Sequence, residues 1–397
     1  MRSVELFAGA GGLGMGLGEA GFRPDRVVEW DHDSCCTLRE NERRGVQQVA
    51  GWRIVEADAS AFDYSEIERA VDLVSGGPPC QPFSVGGKHR GQADHRNMWP
   101  QAVRAVRELA PRAFLFENVR GLMRPAFAPY LHYIELQLRF PETILKAGES
   151  WQEHVARLER KITSGSSKRA LIYRVSIHPV NAADYGAPQK RRRVIIVGFR
   201  NDQPIEWLMP EATHSQAALL WDQWVTGDYW LRHGIGSHAR PAIPRPVCAT
   251  IERLRATGER PATLPWVTVR DVISDLPPLN KTPEIMANHR LQPGARSYAG
   301  HTGSPFDEPA KALKAGDHGV PGGENMLAYG NGDVRYFTVR EAARLQGFPD
   351  EFVFPASVSW TESMRQLGNA VPVPLAAVFG RAIATALAAG QRRKRVA

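Results

Sequence analysis

Cysteine is scarce in this chain. The 397 residues hold four, Cys35, Cys36, Cys80 and Cys248, with no C-x-x-C pair. That excludes a disulfide framework and a zinc site of ordinary spacing, and it fits a reducing compartment. No run of about 18 apolar residues occurs. The N-terminus enters the strand-like Val4-Glu5-Leu6-Phe7 without the charged, apolar and small-residue layout of an export signal. The expectation is a soluble, cytoplasmic protein with no membrane partner. Internal repeats and low-complexity tracts are also missing. Acidic residues are outnumbered, 42 against 50 Lys and Arg, for a formal charge of +8. Such a balance suits a polyanionic partner. The basic residues cluster in "QKRRR" at 189–193 and in the "QRRKR" tail at 391–395, the latter reading as a frayed, solvated end.

What is present describes a large α/β protein. With 43% hydrophobic residues the chain can bury two cores, or one core carrying an insertion. To about residue 200, short apolar runs alternate with helical segments, the pattern of a parallel sheet. Strands are expected at 4–7, 26–30, 52–55, 71–75, 113–117, 173–177 and 193–199. A helix is expected at 99–109, from Val103, Val106 and Leu109 at helical spacing, with Pro111 closing it. A charged helical insertion at about 141–170 reads as a surface hairpin. From 200 to 333 prolines gather and five of the ten tryptophans appear, the mark of a separate irregular domain. Helices resume at 338–352 and 374–390. The expected division is 1–199 as a first domain, 200–333 as a second, and 334–397 returning to the first.

Three stretches carry chemistry. Gly9, Gly11 and Gly14 have the spacing G-x-G-x-x-G, with Glu29 twenty residues after Gly9, which is the fingerprint of a dinucleotide-binding βαβ unit. The same glycines could serve another adenosine cofactor. In "SGGPPCQPFS" (75–84), Cys80 follows an apolar strand. A solitary cysteine is usually a small buried hydrophobe. On a loop stiffened by Pro78, Pro79 and Pro82, at a strand's carboxyl end, it is better placed for nucleophilic attack than for packing. In "FLFENVRG" (114–121), Glu117 and Asn118 close the next strand; they could share a proton with a substrate base or simply form a turn. In "PQKRRRVIIVG" (188–198), period-two geometry puts Gln189, Arg191 and Arg193 on one face and Lys190 and Arg192 on the other. A basic run beside a strand is otherwise a solvated edge.

Taken in order, these stretches, with Glu29-Trp30, "TVREAARLQGFPD" (338–350) and "QLGNAVPVPLA" (366–376), resemble the cytosine-C5 DNA methyltransferase family, of the bacterial modification type. The resemblance implies a Rossmann-like, S-adenosylmethionine-dependent methyltransferase fold, a mostly parallel doubly wound sheet with a smaller target-recognition domain. It implies double-stranded DNA as substrate and S-adenosylmethionine as cofactor, leaving S-adenosylhomocysteine, with no metal. Cys80 would attack C6 of a flipped cytosine. Glu117 would bind its N3 and N4 edge, Arg193 its O2, and Arg191 would lie near the nucleophile and a phosphate. Asn118 and Gln189 would position these groups, and Gln81, Ser84, Gln189 and Lys190 would touch substrate or DNA. Phe7, Ala8, Gly9, Gly11, Gly12, Leu13 and Pro78 would wrap the cofactor. Glu29 would take the ribose hydroxyls, Trp30 the adenine face and Asp58 the adenine amino group, with Asn369 and Val371 closing the pocket. Asp58 sits between Ala57 and Ala59 where the family often has Gly-Asp-Ile.

The middle segment corresponds to the family's recognition region; its Arg, His, Gly and Trp content suits groove contacts, and "HGVPGGEN" (318–325) is either a backbone-approach loop or a plain surface loop. A nicotinamide dehydrogenase would leave the Cys80, Glu117 and Gln189 stretches without roles. A same-fold transfer-RNA methyltransferase would carry Cys-Phe-Thr in the recognition region, where this chain has only Cys248-Ala-Thr250. A catalytically silent DNA-binding relative would have lost Cys80 or Glu117. A monomer is expected, acting alone or beside a cognate restriction endonuclease.

Overall fold

The computed structural model describes residues 1–67, 70–79, 97–164, 170–279, 286–298, 301–316 and 325–396. All seven expected strands form one sheet, with ends shifted by a few residues: β1 (Arg2–Leu6), β2 (Arg23–Glu29), β3 (Ile54–Glu56), β4 (Leu73–Gly76), β5 (Ala113–Val119), β6 (Tyr173–Asn181) and β7 (Arg192–Arg200). Their order is β3-β2-β1-β4-β5-β7-β6. The β1–β5 pairings are parallel, while β7 runs antiparallel to both β5 and β6. The central strands are buried on both faces, which explains why Leu73–Gly76 and Ala113–Val119 read as continuous apolar runs rather than as alternations.

Parallel neighbours need crossovers. Here α1 (Gly12–Glu19), α2 (His32–Arg43) and α3 (Trp99–Leu109) supply them, followed by α4 (Ala128–Arg139). The α3 helix spans the expected residues; Pro100 sits in its first turn, and Ala110 ends it in a left-handed conformation. Among its described residues the insertion, expected to be a hairpin, forms one helix, α5 (Trp151–Ser164), laid against α4. His154 is buried there; its Nε2–H donates to Thr143 O, so Nδ1 accepts from the Tyr133 hydroxyl, both at 2.7 Å.

Beyond the sheet come α6 (Gln216–Trp224), α7 (Asp228–Arg232), α8 (Cys248–Thr257) and α9 (Val269–Ile273). Trp230 is wholly buried, with Trp224 and Trp266 packed around it. Trp221 joins a neighbouring cluster around Leu220, Ile251 and Leu254. Trp230 therefore anchors a small core, with Trp221, Trp224 and Trp266 half-buried around it and in the neighbouring cluster.

The chain returns through α10 (Val339–Leu345), α11 (Trp360–Asn369) and α12 (Val373–Val396). A window within 360–392 reaches a mean hydropathy of 1.6, enough by composition for a membrane span, yet 61% of it is buried in the fold. Leu375, Phe379, Ile383 and Leu387 form one wholly buried stripe at four-residue spacing, and α12 packs along α1.

Candidate active site

The sheet's carboxyl edge gathers the candidate residues, as expected for an open α/β sheet. Past the end of β1, Phe7 takes a left-handed φ of 55°, a conformation costly for a bulky side chain and often found at functional sites. Gly9 follows with φ 54°, and Gly11, φ 84°, caps α1. This turn points the Gly9 N–H at Glu29 Oε2, 2.7 Å away. Glu29 Oε1 accepts from the N–H groups of Trp30 and Asp31, both at 2.9 Å. Glu29 is only 5% exposed. Burial raises its pKa, and the three backbone N–H groups work against that rise. Trp30, immediately after it, is 72% exposed. Asp58 is exposed just beyond β3, its Oδ1 accepting from Ser60 N–H at 2.7 Å. Glu29 ends β2 opposite Glu56 of the neighbouring β3, so Trp30 and Asp58 follow the carboxyl ends of adjacent strands.

The glycines have a second use that spacing alone did not disclose. A Cβ on Gly12 would collide with the Val371 carbonyl, and one on Gly14 with the Glu5 carboxylate and Trp52. Both therefore admit protein rather than phosphate. Ala8 and Leu13 are buried beside them, and Val371 is buried against α1, whereas Asn369 is exposed at the end of α11. Glu5 was not among the expected site residues, although an acid inside Val4-Glu5-Leu6-Phe7 is a visible anomaly. It lies buried under the turn, with Oε1 accepting from Gly14 N–H at 3.1 Å and Oε2 without a hydrogen-bond partner among the described residues. Burial pushes its pKa up to about 8.

One strand further along, β4 runs into Gly77 and the buried Pro78. Cys80, Gln81 and Ser84 lie outside the described residues, as does nearly all of 318–325. Asn118 Nδ2 donates to Pro78 O at 3.0 Å, while its Oδ1 accepts from Val119 N–H at 2.8 Å. Glu117 is buried, and Arg193 Nε sits 2.7 Å from its Oε1, an ion-pair distance without hydrogen-bond alignment. The pairing follows from register. Glu117 stands opposite Ile195, so Arg193, two residues along, shares its face. Glu117 Oε2 would be 3.8 Å from a Cβ on Gly77, which puts the carboxylate at the mouth of the loop leading to Cys80.

The expected alternation of the basic run holds for burial over 189–192, where Gln189 and Arg191 are buried, Lys190 half-buried and Arg192 exposed, but Arg193 is half-buried like Lys190. Gln189 is spent on the protein, donating to Leu345 O and Gln346 Oε1, both at 3.2 Å, and accepting from Leu313 N–H at 2.9 Å. That fits a positioning residue and leaves no group facing outward for DNA. Arg191 likewise donates to Leu313 O at 3.0 Å and Gly368 O at 2.8 Å. Burial and Arg193 lower its pKa, opposed by Glu117. Its Nε has no partner among the described residues. Lys190 Nζ meets Glu308 Oε2 at 2.6 Å.

A sequence model of the C-5 cytosine-specific DNA methylases matches residues 1–139 and 165–385. The chain belongs to the C-5 cytosine-specific DNA methylase family. It is a DNA-modifying methyltransferase, and the sheet described above is the family's Rossmann-like fold. Similar proteins include the Type II methyltransferase M.NgoMIV of Neisseria gonorrhoeae, 31% identical over 97% of both chains. M.PspPI of a Psychrobacter species is also 31% identical, over 96% of this chain and 78% of its own. In fold, the chain is similar to a putative DNA modification methyltransferase encoded within an E. coli prophage. There the TM-score is 0.56 at 20% identity, covering 98% of this methyltransferase and 99% of that chain. The internal stretch that the family match leaves out, 140–164, contains α5.

Proposed function

We propose that this methyltransferase methylates C5 of a cytosine flipped out of a specific duplex DNA sequence, through a covalent bond between Cys80 and C6. The observation that supports this most is the buried Glu117, paired with Arg193 and set against the loop that enters Cys80. An enzyme acting on a stacked base must extrude it at a cost of a few kcal/mol, which phosphate contacts of a basic protein offset.

In the proposed reaction Cys80 adds to C6 as thiolate. Few thiols are ionised at neutral pH, so the guanidinium groups of Arg191 and Arg193 favour the anion. Glu117 holds the N3 and N4 edge and places a proton at N3, drawing electron density from C6. Arg193 binds O2 and orients Glu117. Asn118 and Gln189 hold these groups in place, and removal of the C5 proton finally expels Cys80.

The residues around Glu29 fit S-adenosylmethionine: a buried carboxylate for the ribose hydroxyls, the exposed Trp30 ring for adenine and Asp58 for its amino group. Phe7–Leu13, Pro78, Asn369 and Val371 would enclose the rest. When bound, this cofactor supplies an electrophilic methyl group. Gln81, Ser84 and Lys190 are proposed DNA contacts, Lys190 by exchanging Glu308 for phosphate. We further propose a monomeric cytoplasmic modification enzyme, acting alone or alongside a restriction endonuclease. Its catalytic part is 1–199 with 334–397, and its recognition part is 200–333.

The test is product identity. Duplex DNA incubated with the protein and methyl-labelled S-adenosylmethionine, then digested to nucleosides, should yield label only in 5-methylcytosine. Label in another nucleoside, or in transfer RNA in preference to DNA, contradicts the reading.

A further inference from the structure

We propose that Arg365 is a positioning residue for the adenosine site, acting through Asp31 on Glu29. The inference rests on the reading of Glu29 as the ribose contact.

Arg365 lies on α11, 334 residues from Asp31 in sequence. Its Nη2 bonds Asp31 Oδ2 at 2.7 Å, and Glu362 holds the guanidinium from the other side, Nε and Nη2 both at 2.6 Å. Asp31 stands at a junction. Its Oδ1 accepts from Ser34 N–H at 2.9 Å and so caps α2. Its own N–H donates to Glu29 Oε1. Burial would raise the pKa of Asp31, but Ser34 and Arg365 outweigh it and hold the carboxylate below its ordinary range. The pair is only partly exposed, 35% and 27% for the two side chains, so water screens it incompletely.

Residues 30 and 31 provide two of the three N–H groups that hold Glu29, and residue 30 is the exposed tryptophan. Without Arg365 the cap on α2 survives, because Ser34 still bonds Oδ1. What is released is the peptide that orients Glu29 and Trp30. The attachment of α2 as a whole is carried elsewhere: Asn41 exchanges two hydrogen bonds, each 2.7 Å, with the backbone of Val353. Arg365 also shares α11 with Asn369, so one helix presents a closing residue and steadies the opposite wall.

Calorimetric titration of the full chain with S-adenosylmethionine, without DNA, is the test. Arg365→Gln should weaken binding about three- to tenfold, as should Asp31→Asn, and the double variant should lose no more than either alone because they break one interaction. Arg365→Lys should restore most of the affinity. In turnover, KM for the cofactor should rise while kcat at saturation stays within about twofold. An unchanged Kd in Arg365→Gln, additive losses, or a fall in kcat without a rise in KM overturns the proposal. Glu29→Gln separates the two levels. If it weakens binding while Arg365→Gln does not, only the positioning role fails; if it leaves Kd unchanged, the adenosine site is wrongly placed and the proposal falls with it.

Discussion

The Asn118 carboxamide donates a 3.0 Å hydrogen bond to the carbonyl of Pro78, two residues before Cys80. That bond fastens the end of β5, which carries Glu117, to the loop that carries the proposed nucleophile. One buried contact therefore ties the end of β5 to the backbone of Pro78.

Asn118→Asp keeps the acceptor for Val119 N–H but removes the donor to Pro78. Since small misplacements at a reacting centre are costly, kcat should drop about 10- to 100-fold. Cofactor binding, measured separately, should weaken far less, since Pro78 is one of several residues proposed to enclose the cofactor. A variant with full kcat would show that the loop is held by other means.

Glu5 should make stability depend on pH. Its folded pKa of about 8 lies above the ordinary 4.5. Between those values the folded chain keeps a proton that the unfolded chain has released, so stability is complete below about pH 4.5 and declines as pH rises toward 8. The loss is at most a few kcal/mol, at about 1.4 kcal/mol per pKa unit. Denaturant unfolding of Glu5→Gln across pH 5–9 should show this slope removed; equal slopes in both proteins would mean that Glu5 is ionised in the fold.

Asn41→Ala should destabilise without altering chemistry. It strips partners from the buried N–H and C=O of Val353, which costs about 2–4 kcal/mol for two unsatisfied backbone groups. The melting temperature should fall, and the residual folded enzyme should keep its kcat. Unchanged melting would mean that α2 and the returning C-terminal segment are coupled elsewhere.

The α5 insertion is absent from the family sequence match, and its contact with α4 should serve stability alone. Tyr133→Phe takes the donor from His154 Nδ1 and should cost about 1–2 kcal/mol, leaving KM and kcat for both substrates unchanged. A kinetic effect would give the insertion a part in catalysis.

The sheet was legible in the sequence because buried parallel strands are short apolar runs between helices, and Leu73–Gly76 or Ala113–Val119 can hardly be read otherwise. The positions of Glu117 and Arg193 were legible because each stands at or near a strand end, and Glu29 because it follows Gly9 by twenty residues. Other features depend on contacts between distant segments. Gly12 looks like part of a phosphate turn until Val371 is seen against it, and the Asp31–Arg365 pair spans 334 residues with no local pattern to announce it. The tryptophans of the middle segment misled for a related reason. Composition says nothing about which way a ring faces, and Trp230 is wholly buried while Trp221, Trp224 and Trp266 are half-buried.

The central claim is that Cys80 forms a bond to cytosine. Duplex DNA carrying 5-fluorocytosine at the methylated position, incubated with the protein and S-adenosylmethionine, should give a denaturation-resistant protein–DNA adduct, because fluorine at C5 cannot leave as a proton does. The account predicts that adduct in the wild type and none with Cys80→Ser. No adduct in the wild type, or an undiminished one with Cys80→Ser, would contradict it.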